Sequence, residues 1–194
     1  MRPAGKCRLV VLLLCCGGMI EGELLAQNVV RWTTNYYVVT GATVREVRRS
    51  LTASRPWRDR EPIDAATTWR VDWKFGLDSS GGGCRLSDVS TVTTITTTLP
   101  RYVPSTNSPP ELVQHWVKYF SALAKHEAAH AAIGRLAGAE IQSHLAGHHS
   151  STDCATLRRQ ADAAANGILN RRRREEREMD QQTQHGATEG ARFP

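Results

Sequence analysis

The sequence predicts an α+β fold, with a small, mostly antiparallel sheet in the N-terminal half followed by two long helices. Two patterns predict it. Short strand-like runs, one of them alternating strictly between apolar and polar residues, occupy the first half, and helical spacing of apolar residues begins near residue 108. With 194 residues, of which 40% are hydrophobic and 23% charged, the chain suits one globular domain.

The first 26 residues have the pattern of an export signal. Basic residues precede an unbroken apolar run from Leu9 to Cys16, and a plausible cleavage point follows Ala26. The run is shorter than the roughly 20 apolar residues that span a bilayer, so we expect removal and no transmembrane anchor afterwards. The prediction is therefore a signal peptide at 1–26, a single domain at 27–194, and a secreted or periplasmic location.

Three runs in the first half are typical of strands: 36–40, 69–75 and 84–99. In the second run, four large apolar residues alternate with polar ones, which places them on one face of a sheet. These residues are Trp69, Val71, Trp73 and Phe75. We expect them to pack in the core rather than to bind a ligand.

Shorter signals join these strands. Thr43 and Glu46 form a capping box that begins a helix to about Leu51. Residues 79–83 form a glycine-rich turn, and the segment from Pro100 to Pro110 is predicted to be a linker.

Two helices follow the linker. Ser108 is the expected N-cap of the first, whose pattern continues through Leu145, and the second is expected to begin near Asp153. A charge block at 171–178 has opposite charges four residues apart. It predicts ion pairs on a solvated helix end, Arg171 with Glu175 and Arg172 with Glu176.

The first long helix carries the sequence His126-Glu127-Ala128-Ala129-His130, a His-Glu-x-x-His motif. Residues four apart lie on one helix face, so His126 and His130 can bind one ion, and neutral imidazole suits zinc. Glu127 projects beside them, where a carboxylate can take a proton from a zinc-bound water. A polar helix face that carries two histidines by chance is the alternative.

A catalytic zinc takes three protein ligands, so one more is needed. The metzincin pattern requires Gly and His where Ile133 and Leu136 stand, and the thermolysin-like pattern requires Glu near Ser150. Three further histidines lie too far along the helix or beyond its end: His144, His148 and His149.

Elimination leaves the segment from Asp180 to Gly186. We predict that His185 completes the site and that the last residues of this sequence fold back over the helix that carries His126 and His130. Asp180 is the alternative third ligand, or a partner that orients a ligating imidazole. A frayed tail with an unrelated histidine is the other alternative.

Nearly all of 27–194 resembles a bacterial family of predicted secreted zinc-dependent proteases, catalogued as domain of unknown function 922. The resemblance is carried by Trp69 to Phe75, Cys84 and Cys154, Thr98 to Tyr102, Trp116, His126 to His130, and Thr183 to Gly186. It implies a metallopeptidase-like activity. Met179 stands where the family pattern has Tyr, so a phenol is not implied at that position.

Cysteine usage agrees with export. Cys7, Cys15 and Cys16 lie in the predicted signal, which leaves Cys84 and Cys154. Two cysteines in an exported protein most simply form one disulfide, and two unrelated buried thiols are the alternative.

These observations predict an exported zinc-dependent metallohydrolase, a peptidase in which Glu127 activates a zinc-bound water. Its expected partners are protein or peptide substrates, such as cell-envelope material. Despite a net charge of +6, no basic stripe with interleaved aromatic residues is present, so no nucleic acid is expected. The alternatives are a non-catalytic envelope-binding module with a structural or vestigial metal site, and a basic protein that docks on an anionic polymer.

Overall fold

A computed structural model describes residues 27–57, 63–147 and 149–194. The elements are β1 (Gln27–Gly41), α1 (Val44–Ser54), β2 (Ala66–Asp78), β3 (Cys84–Pro104), α2 (Pro110–Ala146), β4 (Ser150–Ser151), α3 (Cys154–Thr183) and a short 3₁₀ helix (Ala187–Glu189). The prediction of a sheet in the N-terminal half followed by two long helices is confirmed. None of the described helices has an apolar stretch that would cross a membrane. The predicted signal segment lies outside the described residues.

The sheet is mixed, so the prediction of a mostly antiparallel sheet was wrong in part. Its order is β1-β3-β2, with β3 antiparallel to β2 and to the short β4, and parallel to β1 over the whole length of β1. After β1 and α1, the chain forms β2 at the far edge of the sheet and not beside β1. The hairpin between β2 and β3 then places β3 between β2 and β1. The alternation of apolar and polar residues along a strand does not indicate which other strand will pair with it.

The predicted linker from Pro100 is also corrected, because β3 continues to Pro104, which pairs with Gly41. The last residue of β3 paired with β2 is Thr98. Beyond it, β3 has a partner strand on one side only, and a proline is tolerated at such an edge. The linker is therefore the short segment 105–109.

Local signals placed the helices well. Thr43 caps α1 with both hydrogen bonds of the capping box, and Asp153 caps α3 by accepting from two backbone amides. The beginning of α2 differs from the prediction, because Pro109 occupies the N-cap position. The hydroxyl of Ser108 instead lies 3.0 Å from that of Tyr102 and accepts from the amide of Ser105.

The helix α2 contributes to two separate hydrophobic clusters. Its first half packs with α1, β1 and the end of β3, in a cluster that includes Leu51, Trp116 and Tyr119. Its second half packs with β2 and α3, in a cluster that includes Val71 and Ile141. Trp69, Trp73 and Phe75 pack against this second cluster, which confirms the predicted face of β2. The stretch of α2 between the two clusters carries His126, Glu127 and His130.

The predicted disulfide is confirmed: Cys84 and Cys154 are bonded, with Cα atoms 5.1 Å apart. Cys84 is the first residue of β3 and Cys154 is the first residue of α3. The bond therefore ties the central strand to the beginning of the last helix, across 70 residues of sequence.

The predicted ion pairs of the charge block were wrong. Arg171 and Arg172 both pair with Glu140 of α2, and Arg172 also pairs with Glu175. This side of α3 packs against α2, so pairing across the two helices replaces pairing along one. Glu176 instead contacts Trp69 of β2 and His130 of α2.

Candidate metal centre

Three positions within five residues of α2 bring polar side chains into the interior. His126, Glu127 and His130 are 3%, 4% and 6% exposed, although most of the other buried residues of this helix are apolar. His126 and His130 are one turn apart, and their Nε2 atoms lie 3.2 Å from each other. Burial of three polar side chains in one place is costly without partners, so this arrangement requires an explanation.

The residue that faces both imidazoles is Asp180, on the last turn of α3. Its Oδ1 lies 3.1 Å from Nε2 of His126 and 3.0 Å from Nε2 of His130. The three residues offer ligand atoms within 4.8 Å of one another, and together they can hold a metal ion. The packing of α3 beside α2 creates this group, which no local spacing in the sequence encodes.

The spacing of the three atoms suits a small tetrahedral ion. Ligands at about 2.0–2.1 Å from zinc in a tetrahedral arrangement are about 3.3–3.4 Å apart. The three distances here are 3.0, 3.1 and 3.2 Å, so a slight expansion would suffice. Two imidazoles and one carboxylate also form a donor set that binds transition metals such as zinc or iron.

Each imidazole has a carboxylate on its other nitrogen. Nδ1 of His130 lies 3.0 Å from Oε1 of Glu176. Nδ1 of His126 lies 3.5 Å from Oε2 of Glu189, which is close enough for charge attraction although no hydrogen bond forms. Burial alone would lower the pKa of His130, but the carboxylates of Glu176 and Asp180 outweigh it and raise that pKa above its ordinary value. The outward nitrogens thus face acidic groups while the Nε2 atoms face each other.

The segment Gln184–Pro194, which we call the return segment, reverses the chain after α3. Gln184, His185 and Gly186 have φ values of 50°, 54° and 80°, all in the left-handed region. A Cβ atom on Gly186 would lie 2.9 Å from Cγ of His126, so glycine allows the chain to pass directly over that ring. The prediction that the last residues of this sequence fold back over α2 is confirmed.

Phe193 anchors the return segment. It is 3% exposed, and its ring lies 5.7 Å from that of Trp116 and 5.3 Å from that of Tyr119. Aromatic contacts at these separations contribute beyond the buried area alone.

His185 lies at the border of the candidate metal centre. Its Nδ1 is 3.4 Å from Oδ1 of Asp180, and its side chain is 42% exposed. The ligand atoms that lie within 4.8 Å of one another belong to His126, His130 and Asp180. Asp180, the alternative third ligand, therefore occupies the central position. The assignment of His185 as a ligand stays a prediction.

Glu127 is a buried carboxylate with spare hydrogen-bonding capacity. Burial raises its pKa above the ordinary value, and the hydroxyl of Thr67 and the nearby imidazoles of His130 and His126 oppose that shift. Within the described part of the chain, its Oε2 has no hydrogen-bond partner. An unpaired carboxylate oxygen in the interior is destabilising, so its presence here requires an explanation.

A cleft of about 880 Å³ opens onto these side chains. The first residues of β2, the end of α3 and the return segment form its walls, and its lining includes His126, Glu127, His130, Asp180 and His185. Thr67 of β2 lies with its hydroxyl 3.2 Å from the backbone carbonyl oxygen of Glu127, which joins the strand to α2 at the site.

A second polar cluster forms part of the cleft wall. Both terminal nitrogens of Arg48 donate to the carboxylate of Asp64, at 2.8 and 2.5 Å, and the hydroxyl of Tyr119 donates to it at 2.9 Å. Burial and the adjacent Asp64 raise the pKa of Tyr119 far above its ordinary value, so the hydroxyl keeps its proton. This cluster holds the segment before β2 against α1 and α2.

Sequence reasoning did not identify Glu176, Glu189 or Asp64 as residues of this region. A signal for Glu176 was present, because it stands four residues before Asp180 and therefore on the same face of α3. Glu189 ends the three-residue 3₁₀ helix and Asp64 precedes β2, and both segments are too short or irregular for a periodic pattern to indicate the direction of a side chain.

The fold and this group define a mixed α/β protein with a His-His-Asp cluster, its histidines buried and its aspartate half-buried, that can hold a metal ion. Residues 34–186 match the family model DUF922, described as bacterial protein of unknown function, and the chain belongs to that family. No curated protein and no solved structure matches the chain.

Proposed function

We propose that this protein is an exported, zinc-dependent metallohydrolase that acts as a peptidase. His126, His130 and Asp180 would hold the ion, with His185 beside them, and Glu127 would be the general base. The spacing of the three ligand atoms and their chemical types support zinc.

The observation that carries this proposal is the free oxygen of Glu127. A purely structural metal site needs ligands but has no use for an adjacent buried carboxylate with an unpartnered oxygen. A hydrolytic site requires such a group next to the metal, because a base must remove a proton from the attacking water.

Bound zinc would supply Lewis acidity and lower the pKa of a bound water to about 7. Glu127 would accept the proton of the attacking water and then pass it to the leaving amine. Its raised pKa suits the first transfer, since a carboxylate with a raised pKa is a stronger base than an ordinary Glu carboxylate.

The unpaired edge of β2 beside the cleft favours an extended peptide as substrate. The beginning of β2 lines the cleft, and no strand among the described residues pairs with the outer side of β2. An added peptide strand can form backbone hydrogen bonds with such an edge. Protein or peptide material of the cell envelope would meet an exported enzyme, and the disulfide supports a location in an oxidising compartment.

The test is the pair of variants Glu127→Gln and Glu111→Gln, measured with the purified protein. Zinc content is determined by elemental analysis, and cleavage of a mixture of unstructured peptides is followed by mass spectrometry. We expect about one zinc per chain in all three proteins, and loss of Glu127 should slow cleavage by at least about a hundredfold. Glu111, exposed in the first turn of α2, is the matched control and should leave both quantities unchanged.

Other results would contradict the proposal. If the wild-type protein binds zinc but cleaves no peptide, the non-catalytic envelope module becomes the better assignment. If cleavage occurs and Glu127→Gln does not slow it, Glu127 is not the base.

A further inference from the structure

We propose that Trp69 and Glu176 are positioning residues for His130, and that they hold its ring with Nε2 directed at the metal position. The inference rests on the proposed zinc site. It extends that site from α2 to Trp69 of the sheet and to Glu176 of α3. Glu176 lies in the charge block that the sequence pattern predicted to face solvent.

One oxygen atom makes both contacts. Oε1 of Glu176 accepts from the indole Nε1 of Trp69 at 3.0 Å and lies 3.0 Å from Nδ1 of His130. Because an ionised carboxylate only accepts hydrogen bonds, the proton of the neutral imidazole is placed on Nδ1. Nε2 then presents a lone pair to the neighbouring Nε2 of His126 and to the metal position.

The indole of Trp69 is itself held in place. A Cβ atom on Gly134 of α2 would lie 2.6 Å from Cγ of Trp69, so the indole ring crosses α2 at a position where glycine has no side chain. On α3, the guanidinium of Arg173 lies 5.8 Å from the centre of the same ring. Trp69 therefore contacts both helices, and its N–H is directed at Glu176.

A second tryptophan on the same strand provides a control. Nε1 of Trp73 donates to Oδ1 of Asp162 at 2.9 Å, so it also joins β2 to a carboxylate of α3. Asp162 precedes Glu176 by 14 residues, about 20 Å along the helix. The two pairs are alike as links between strand and helix, but only the Trp69 pair reaches a histidine.

The experiment measures zinc affinity by chelator competition in Glu176→Ala, Glu176→Gln, Trp69→Phe and Trp73→Phe. Loss of a carboxylate that orients a ligating histidine lowers metal affinity by about 10- to 100-fold, which is the expected effect of Glu176→Ala. Glu176→Gln should lower zinc affinity less than Glu176→Ala does, because the amide oxygen of Gln can still accept a hydrogen bond from Nδ1 of His130. Trp69→Phe should weaken binding several-fold, whereas Trp73→Phe should leave it unchanged.

A purely structural role would produce a different pattern. Both tryptophan variants would then lower the melting temperature, and neither would change zinc affinity in the folded protein. In the cobalt-substituted protein, Glu176→Ala and Trp69→Phe should also shift the visible absorption bands, while Trp73→Phe should not.

Several outcomes would overturn the inference. Wild-type affinity in Glu176→Ala would do so, as would equal effects of Trp69→Phe and Trp73→Phe. If Glu176→Ala does not fold, Glu176→Gln and Trp69→Phe decide the question. The variant His130→Ala separates this inference from the site itself, because unchanged zinc binding in that variant would refute the metal site and not only the role of Glu176.

Discussion

At the scale of single residues, the candidate metal centre depends on which ring nitrogen each histidine turns inward. Nε2 of His126 and of His130 face Asp180, and both Nδ1 atoms face acidic side chains. This arrangement gives Asp180 the central position between the imidazoles. His185 contacts Asp180 from the more exposed side.

The first prediction concerns the third ligand. Asp180→Ala should weaken zinc binding more than His185→Ala, because Oδ1 of Asp180 lies 3.0–3.1 Å from both histidine nitrogens. Zinc affinity of the two variants, measured side by side, checks this order. A larger loss in His185→Ala would make His185 the third ligand and leave Asp180 as its orienting partner.

The sequence predicted the elements of the site better than its assembly. His126, Glu127 and His130 follow from local helical spacing, and the caps Thr43 and Asp153 also depend on neighbouring residues alone. The position of Asp180 depends on how α3 packs against α2, and that of Glu176 on the place of Trp69 in the sheet. Such contacts between distant segments leave no periodic pattern in one sequence.

At the scale of elements, three parts of the chain form the site, and the return segment is one of them. Helix α2 supplies the histidines, α3 supplies Asp180 and Glu176, and the return segment supplies His185 and Glu189. Its only deeply buried side chain is Phe193, which packs between the aromatic rings of Trp116 and Tyr119. The position of Glu189 beside His126 therefore depends on an anchor four residues away.

The second prediction tests this anchor. Phe193→Ala should lower the free energy of unfolding by about 3–5 kcal/mol and also weaken zinc binding, because the return segment would leave His126. Leu145→Ala is the control, since Leu145 is buried in the other hydrophobic cluster. It should destabilise the protein by about 2–5 kcal/mol with little effect on zinc affinity in the folded state. Equal zinc affinity in the two variants would contradict the role of the anchor.

At the scale of the whole molecule, the site lies on α2 between the two hydrophobic clusters. The cluster around Trp116 fixes α1, β1 and Phe193, and the cluster around Ile141 fixes β2 and α3. The first cluster therefore holds the return segment beside the site, and the second holds α3, which carries Asp180, against α2. The disulfide between Cys84 and Cys154 supports the second cluster, because it joins β3 to the beginning of α3.

The third prediction concerns this bond. Closing a loop of 70 residues stabilises a protein by roughly 4 kcal/mol in the chain-entropy model. The double variant Cys84→Ser with Cys154→Ser should lose stability of that order in denaturant unfolding. Non-reducing peptide mapping of exported protein should find the two cysteines linked, and two free thiols in the folded protein would refute both the bond and the oxidising location.

The return segment also has a consequence for the timing of activity. During synthesis, the ribosome adds about 5–20 residues per second, so Glu189 is added some 3–12 s after His130. Until then the nascent chain contains His126, Glu127 and His130, but lacks first Asp180 and later the segment that covers His126. The candidate metal centre therefore has no complete set of ligands while the chain is still being made, so the proposed hydrolase would be inactive until its last helix and return segment had folded against α2.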